Sequence, residues 1–161
     1  MSPYPEFQNG EFSVFTDPDR IDFDFVHNFL STEAYWSLGV PRETLARALA
    51  HSICFSLYHG PRQIGFARVI SDAATFAYLD DVFVSTAYRG RELGGWMLQC
   101  VLAHPDLQGL RRFSLATRDA QSFYAQHGWE PLRYPDRHME RMAPGFYPPR
   151  QEGGPPAGAK E

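Results

Sequence analysis

A chain of 161 residues is long enough for one domain with a substantial buried core and too short for two of ordinary size. Its 15 Lys and Arg against 19 Asp and Glu, with an isoelectric point near 5.8, offer no basic field to a phosphodiester backbone, so a nucleic-acid partner is not expected. No apolar run reaches membrane-spanning length, which argues equally against a membrane partner.

The positive charge is almost entirely arginine, with Lys160 the single lysine. Cys54 and Cys100 fall within apolar segments, the pattern of two buried thiols in a reducing compartment rather than of a disulfide framework. The N-terminal residues lack a basic region followed by an apolar core, so no signal peptide is read there and a cytoplasmic location is expected. The histidines show no metal-ligand spacing, and no metal is expected.

Residues 1–11, with two prolines and a glycine, read as a flexible N-terminal arm, and a single domain is expected over 12–147. Glu11 to Phe15 suits a first strand. Asp22 or Asp24 can cap a helix running to about Leu30, with Phe25, Val26, Phe29 and Leu30 on its inner face. An aromatic, irregular stretch containing Tyr35 and Trp36 precedes a second helix from Arg42 to about Ala50. Ser52 to Tyr58 and Ile64 to Ile70 then read as an antiparallel pair joined by a turn at His59 to Arg62. Ser71 to Ala74 turns the chain into a central strand, Tyr78 to Val84.

Beyond that strand, Leu93, Trp96, Met97, Cys100 and Val101 repeat at the spacing of one helical face, and Pro105 ends the helix near Ala103. Phe113 to Ala116 reads as a short buried strand. Asp119 is expected to cap a helix closing at Gly128, a suitable left-handed C′ residue, with His127 favourably placed at its end. Trp129 to Tyr134 and His138 to Met142 are expected to form a last hairpin, with Pro131 favouring an edge position. Residues 148–161 have the composition of a disordered Pro/Gly tail. The element order is that of an α+β layer with a mixed sheet.

The junction of strand, tight loop and helix at residues 78 to 97 organises the chain. A helix start leaves several backbone N–H groups unpaired at the positive end of the helix dipole, and this makes an anion site. Gly90, Gly94 and Gly95 are expected to let a phosphate approach the backbone, while Arg89 and Arg91 add charge able to pair with its oxygens.

Val82-Phe83-Val84, followed by Tyr88-Arg89-Gly90-Arg91-Glu92-Leu93-Gly94-Gly95, resembles the acetyl-CoA signature of the GNAT N-acetyltransferase superfamily, Arg/Gln-x-x-Gly-x-Gly/Ala after the fourth strand. Downstream, Ala120-Gln121-Ser122-Phe123-Tyr124-Ala125-Gln126-His127-Gly128-Trp129 resembles that family's Ala-x-x-Phe-Tyr-x-x-x-Gly-Phe helix. The first glycine of the signature is Glu92 here, a carboxylate in a pyrophosphate loop, which bears on cofactor affinity.

The resemblance implies a mixed, mostly antiparallel sheet flanked by helices, with its fourth and fifth strands splayed, and acetyl-CoA as cosubstrate. Cofactor contacts would then fall on Val82, Phe83, Val84, Arg89, Gly90, Arg91, Glu92, Leu93, Gly94, Gly95, Thr117 and Phe123. It also implies that Tyr124 donates a proton to the CoA sulfur. Asp80 and Asp81 are both candidate bases. Strict alternation along a strand points them to opposite faces unless a β-bulge intervenes. Tyr35, Trp36 and Tyr78 can wall an acceptor cleft or belong to the core.

The expected reaction is acetyl transfer to a primary amine of a small molecule or peptide, by a monomer or homodimer. A non-catalytic acyl-CoA-binding module is the alternative. A nucleotide site is weaker, because the loop lacks the Lys-Ser/Thr of a P-loop and the full Gly-x-Gly-x-x-Gly of a dinucleotide fold.

Overall fold

A computed structural model describes residues 2–144 and Tyr147. Six strands form one sheet in sequential order: β1 (Glu6–Asn9), β2 (Phe12–Phe15), β3 (Ile53–His59), β4 (Arg62–Ser71), β5 (Phe76–Val84) and β6 (Arg112–Ser114). Every neighbouring pair is antiparallel except β5 and β6, which run parallel. Among the described residues four α-helices accompany them: α1 (Phe23–Thr32), α2 (Arg42–Ala50), α3 (Leu93–Leu102) and α4 (Gln121–Ala125).

The period-2 pattern of the central strands divides the core between two faces. On one face Val26, Phe29 and Leu30 of α1 and Leu45 and Leu49 of α2 pack with Cys54, Phe66 and Phe83. On the other, Leu93, Met97, Leu98, Cys100 and Val101 of α3 pack with Phe55, Leu57, Ala67, Val69 and Leu79, and α4 adds Phe123 and Tyr124 at the margin. Both cysteines are buried free thiols. The Asp22 carboxylate caps α1 by accepting from the Phe25 N–H at 3.2 Å.

Three expectations need correction. Residues 6–9, expected in a loose arm, form β1, which pairs with β2 from Glu6 opposite Phe15 to Asn9 opposite Phe12. Gly10, with φ of 60°, takes the first loop position, where a two-residue hairpin turn of type II′ requires glycine. The hairpin expected over 129–142 is absent, since no strand follows Ser114 among the described residues and Pro135–Arg137 makes only a 3₁₀ turn. Pro131 and Pro135 remove ladder donors, and the charged residues Glu130, Arg133, Asp136, Arg137, Glu140 and Arg141 leave no continuous apolar face to bury. β6 stops at Ser114 rather than Ala116. The tail from residue 148 lies outside the described residues.

Gly65, paired with Val84, shows how tightly β4 and β5 are seated. A Cβ there would lie 2.9 Å from the Phe83 carbonyl oxygen and 3.0 Å from Leu57 Cδ2. Backbone cannot yield as a side-chain tip can. Gly65→Ala is therefore expected to cost about 1–3 kcal/mol, as overpacking does, and chemical denaturation measures it; an unchanged midpoint would show that the strands can separate freely at this point.

Candidate active site

The residue pairs on either side of Ala67 locate the main irregularity of the sheet. Arg68 faces Asp80 and Phe66 faces Phe83, so two β5 residues, Asp81 and Val82, stand opposite one on β4. Asp81 takes up the extra length in the left-handed region, with φ of 53°. This β-bulge cancels the alternation that would send neighbouring carboxylates to opposite faces. Both meet Arg68: Nε donates to Asp81 Oδ2 at 2.7 Å and Nη2 to Asp80 Oδ2 at 2.9 Å. Nη1 donates to Ser52 Oγ at 3.2 Å, so each guanidinium nitrogen is engaged.

The two carboxylates differ in what remains free. Asp81 has 6% of its side chain exposed, and its second oxygen accepts from Trp36 Nε1 at 2.8 Å. Asp80 has 30% exposed, with Oδ1 accepting from the Asp81 N–H at 2.9 Å. Burial, reinforced by the Asp81 charge and opposed by Arg68, lifts the Asp80 carboxyl to a pKa of about 6. Burial works against the Arg68 charge, and the two carboxylates more than offset it.

Tyr124 lies on α4, whose end is fixed by a Schellman pair: the Trp129 N–H donates to the Tyr124 carbonyl and the Gly128 N–H to the Ala125 carbonyl. Gly128, with φ of 99°, is the left-handed C′ residue expected there. The Tyr124 ring packs edge-on against Phe123 and Trp129. Burial first, then the neighbouring Tyr35 and Asp80, push its phenol up to about 12. The Tyr78 phenol is raised as well, again by burial and then by Asp80. Tyr35 accepts a hydrogen bond from the Arg118 N–H at 3.0 Å, lies 4.0 Å beneath the Arg118 guanidinium, and meets Trp36 edge-on. Tyr35, Tyr78, Asp80 and Tyr124 thus share one electrostatic neighbourhood.

That neighbourhood adjoins a gap in the sheet. The β5–β6 pairing ends at Tyr78 opposite Ser114, so Val82, Phe83 and Val84 have a strand on the β4 side only. Phe83 turns into the α1 side, stacked on Phe29 at 3.9 Å, while Val82 and Val84 border the α3 side. Arg89 Nε donates to the Val84 carbonyl at 3.0 Å. Gly90 has φ of 79° with open space beside it. Arg91 lies 5.2 Å over the Tyr88 ring, and the Tyr88 hydroxyl meets His59 Nδ1 at 2.8 Å. This brace was not legible in the sequence, because its members are 29 positions apart.

Glu92 is the N-cap of α3, left-handed at φ of 61° and making no side-chain cap bond. The first N–H groups of α3 therefore open toward the loop without a capping side chain, an arrangement that fits a diphosphate. Gly94 and Gly95 also face α4. A Cβ on Gly94 would meet the Phe123 ring at 3.5 Å, and one on Gly95 would meet His127 Nε2 at 3.2 Å. Only the contact at Gly95 is tight, and Gly90 has open space beside it. Thr117 Oγ1, not Asp119, accepts from the Ala120 N–H at 3.1 Å, while Asp119 pairs with Arg118.

A family model for the GNAT acetyltransferase domain matches residues 50–131. The FG08082 protein of Gibberella zeae, provisionally named an acetyltransferase, is 34% identical over an alignment 140 residues long that covers 73% of this chain and 78% of that protein. The chain belongs to the GNAT acetyltransferase family. A crystal structure from Xanthomonas campestris pv. campestris, provisionally named a GNAT-family acetyltransferase, is 47% identical with a TM-score of 0.84, covering 88% of this chain and 99% of that one. The glucosamine-6-phosphate N-acetyltransferase of Arabidopsis thaliana, 13% identical with a TM-score of 0.54 over 88% of this chain and 99% of its own, shares the fold alone. The splayed strands of this GNAT fold are β5 and β6. No helix among the described residues is long and apolar enough to cross a membrane.

Replacing Asp81 by Asn keeps a residue that tolerates the left-handed region but removes the charge facing Arg68. Asp81→Asn is expected to lower stability by about 3 kcal/mol, as breaking a buried ion pair does, with a smaller loss for the more exposed Asp80→Asn. Urea denaturation of both variants measures this; the reverse order would make Asp80 the structural partner.

Proposed function

We propose that the chain transfers an acetyl group from acetyl-CoA to a primary amine of a small molecule or peptide, by direct attack of the amine on the thioester. The observation that carries this reading is the meeting of a half-open carboxylate of raised pKa, Asp80, and a phenol held protonated, Tyr124, beside the gap between β5 and β6.

In this reading the N–H groups at the start of α3 and around Gly90 hold the diphosphate, with Arg89 and Arg91 adding charge. The pantetheine arm lies along the open edge of Val82, Phe83 and Val84, as an added strand would. Thr117 fixes the start of α4 and Phe123 covers Gly94, so both shape the cofactor's wall. The acetyl group, supplied as an activated thioester, rests near Tyr78 to Asp81, where the Val82 N–H can polarise its carbonyl.

Asp80 draws the ammonium in and accepts its proton, directly or through water. The free nitrogen pair attacks the carbonyl carbon, the C–S bond breaks, Tyr124 protonates the departing sulfur, and the second proton shed by the new amide nitrogen restores the phenol through water. Asp81, with both oxygens engaged, serves as a positioning residue that holds Arg68 and Trp36. Tyr35 and Tyr78 wall the approach. The chain is proposed to act in the cytoplasm, as a monomer or homodimer, through one domain that starts with β1.

Thiol release with acetyl-CoA and an amine panel tests the assignment. Tyr124→Phe should lower kcat by about a hundredfold, leaving CoA affinity intact. With the Asp80 carboxyl at about 6, kcat/KM should rise with pH through that value as Asp80 ionises, and Asp80→Asn should remove this limb. Undiminished turnover by Tyr124→Phe would take the phenol out of the mechanism.

The second reading, a non-catalytic acyl-CoA-binding module, draws on Glu92. Its left-handed backbone is costly for any residue with a Cβ, and its carboxylate stands in the proposed diphosphate loop. Glu92→Gly should raise stability by about 1 kcal/mol and tighten CoA by about two- to fivefold, the range of one charge at a helix terminus. Calorimetry with CoA and thermal unfolding check both; a tightening far beyond this, with no amine acetylated by either form, would favour the binding module.

A further inference from the structure

On the α1 and α2 side of the sheet a cavity of about 180 Å³ opens beside Asp80. Leu30, Val40, Leu45 and Ala48 line its apolar side, Trp36 and Tyr147 also stand on its wall, and Ser37 and Thr44 add two hydroxyls. Its size decides what can enter, since cavities of about 150 Å³ admit a benzene ring. Charge decides the rest. Among the described residues lining the cavity, Arg68 is the one cation, and its three nitrogens already donate to Asp81, Asp80 and Ser52. Two carboxylates against one guanidinium leave a single negative charge, and it reaches solvent at Asp80, whose side chain is 30% exposed, rather than at Asp81 with 6%.

We infer that this cavity is the acceptor pocket and that it takes a hydrophobic primary monoamine: one ammonium against Asp80, one compact aryl or branched alkyl group between α1 and α2, and no carboxylate or phosphate. This specificity rests on the acetyl-transfer reading for its consequence but not for its binding chemistry. An acceptor carrying an anionic group would set that group against two carboxylates, with no uncommitted cation among the described residues of the pocket to receive it, and leaving a charge unpaired in such a place is costly. The ammonium pairs with Asp80 beside the Trp36 ring, whose face attracts cations. The apolar group gains by leaving water, and the small volume disfavours bulky bodies.

Matched pairs that differ only by a carboxylate isolate the argument: phenethylamine against phenylalanine, and isoamylamine against leucine. Binding of each to the CoA-loaded protein is measured by calorimetry, and acetylation is followed in parallel by mass spectrometry. The monoamine of each pair should bind at least tenfold more tightly than its amino acid. Ala48→Leu, which fills the pocket with a strong helix former, should weaken phenethylamine at least tenfold while CoA affinity stays unchanged.

Equal or tighter binding of the amino acids overturns the inference, and so does phenethylamine binding that Ala48→Leu leaves untouched. If the monoamines bind as described and none is acetylated, the pocket stands and the transfer reading fails. If another amine is acetylated while neither monoamine binds, transfer stands and the pocket inference fails.

Discussion

The contact between Arg68 and the paired carboxylates Asp80 and Asp81 sets the geometry of everything around it. Burying three charges is expensive in isolation, with several kcal/mol lost per ion to desolvation. Here the cost is offset because each guanidinium nitrogen has an acceptor and both Asp81 oxygens have donors. The arrangement needs the bulge. On a regular strand the two aspartates would diverge, one would be forced into the apolar layer beneath α3, and Arg68 would hold a single carboxylate. The left-handed turn at Asp81 is a local strain that the ion cluster over-determines.

The same cluster ties distant parts of the chain to one point. Trp36, 45 residues before Asp81, brings the loop between α1 and α2 onto β5. Ser52 brings in the end of α2. Tyr35, beside Trp36, reaches Arg118 in the segment that leads into α4. A continuous path of specific contacts therefore links the walls on both sides of the gap between β5 and β6. A bulge also increases local twist, and here it begins within three residues of Tyr78, the last β5 residue paired with β6. The parting of the strands and the collection of polar groups beside it have one cause.

Much of this was legible in the residues, and the failures have identifiable physical reasons. The helices and central strands announced themselves through apolar periodicity, and the end of α4 through Gly128. The β1 hairpin was missed although Asn9-Gly10 is a hairpin signal, because two prolines nearby weighed toward a loose arm. The final hairpin was over-read: Pro135-Asp136 offered a turn between Trp129 and Met142, but the charges on either side left no apolar face to bury. The aspartates were recognised as the candidate bases, yet their division of labour depends on which oxygens are already occupied. That is a property of contacts across 12 to 45 residues and leaves no local mark in sequence.

The glycine loop shows most clearly how one motif can carry two physical demands. Around the start of α3 a glycine can be required by backbone angle, by access of a ligand, or by the approach of another element. Gly90 answers to the first, with its φ of 79° and open surroundings. Gly95 answers to the third, since the His127 ring sits tightly where a Cβ would go, while a Cβ on Gly94 would make ordinary contact with Phe123. Glu92 occupies the remaining special position, left-handed at φ of 61°, where glycine would be unstrained. Substituting there leaves the α3–α4 contact intact, whereas a Cβ on Gly95 would press on the His127 ring, which would have to turn aside to receive it. The two positions differ because one faces the loop and the other faces the end of α4.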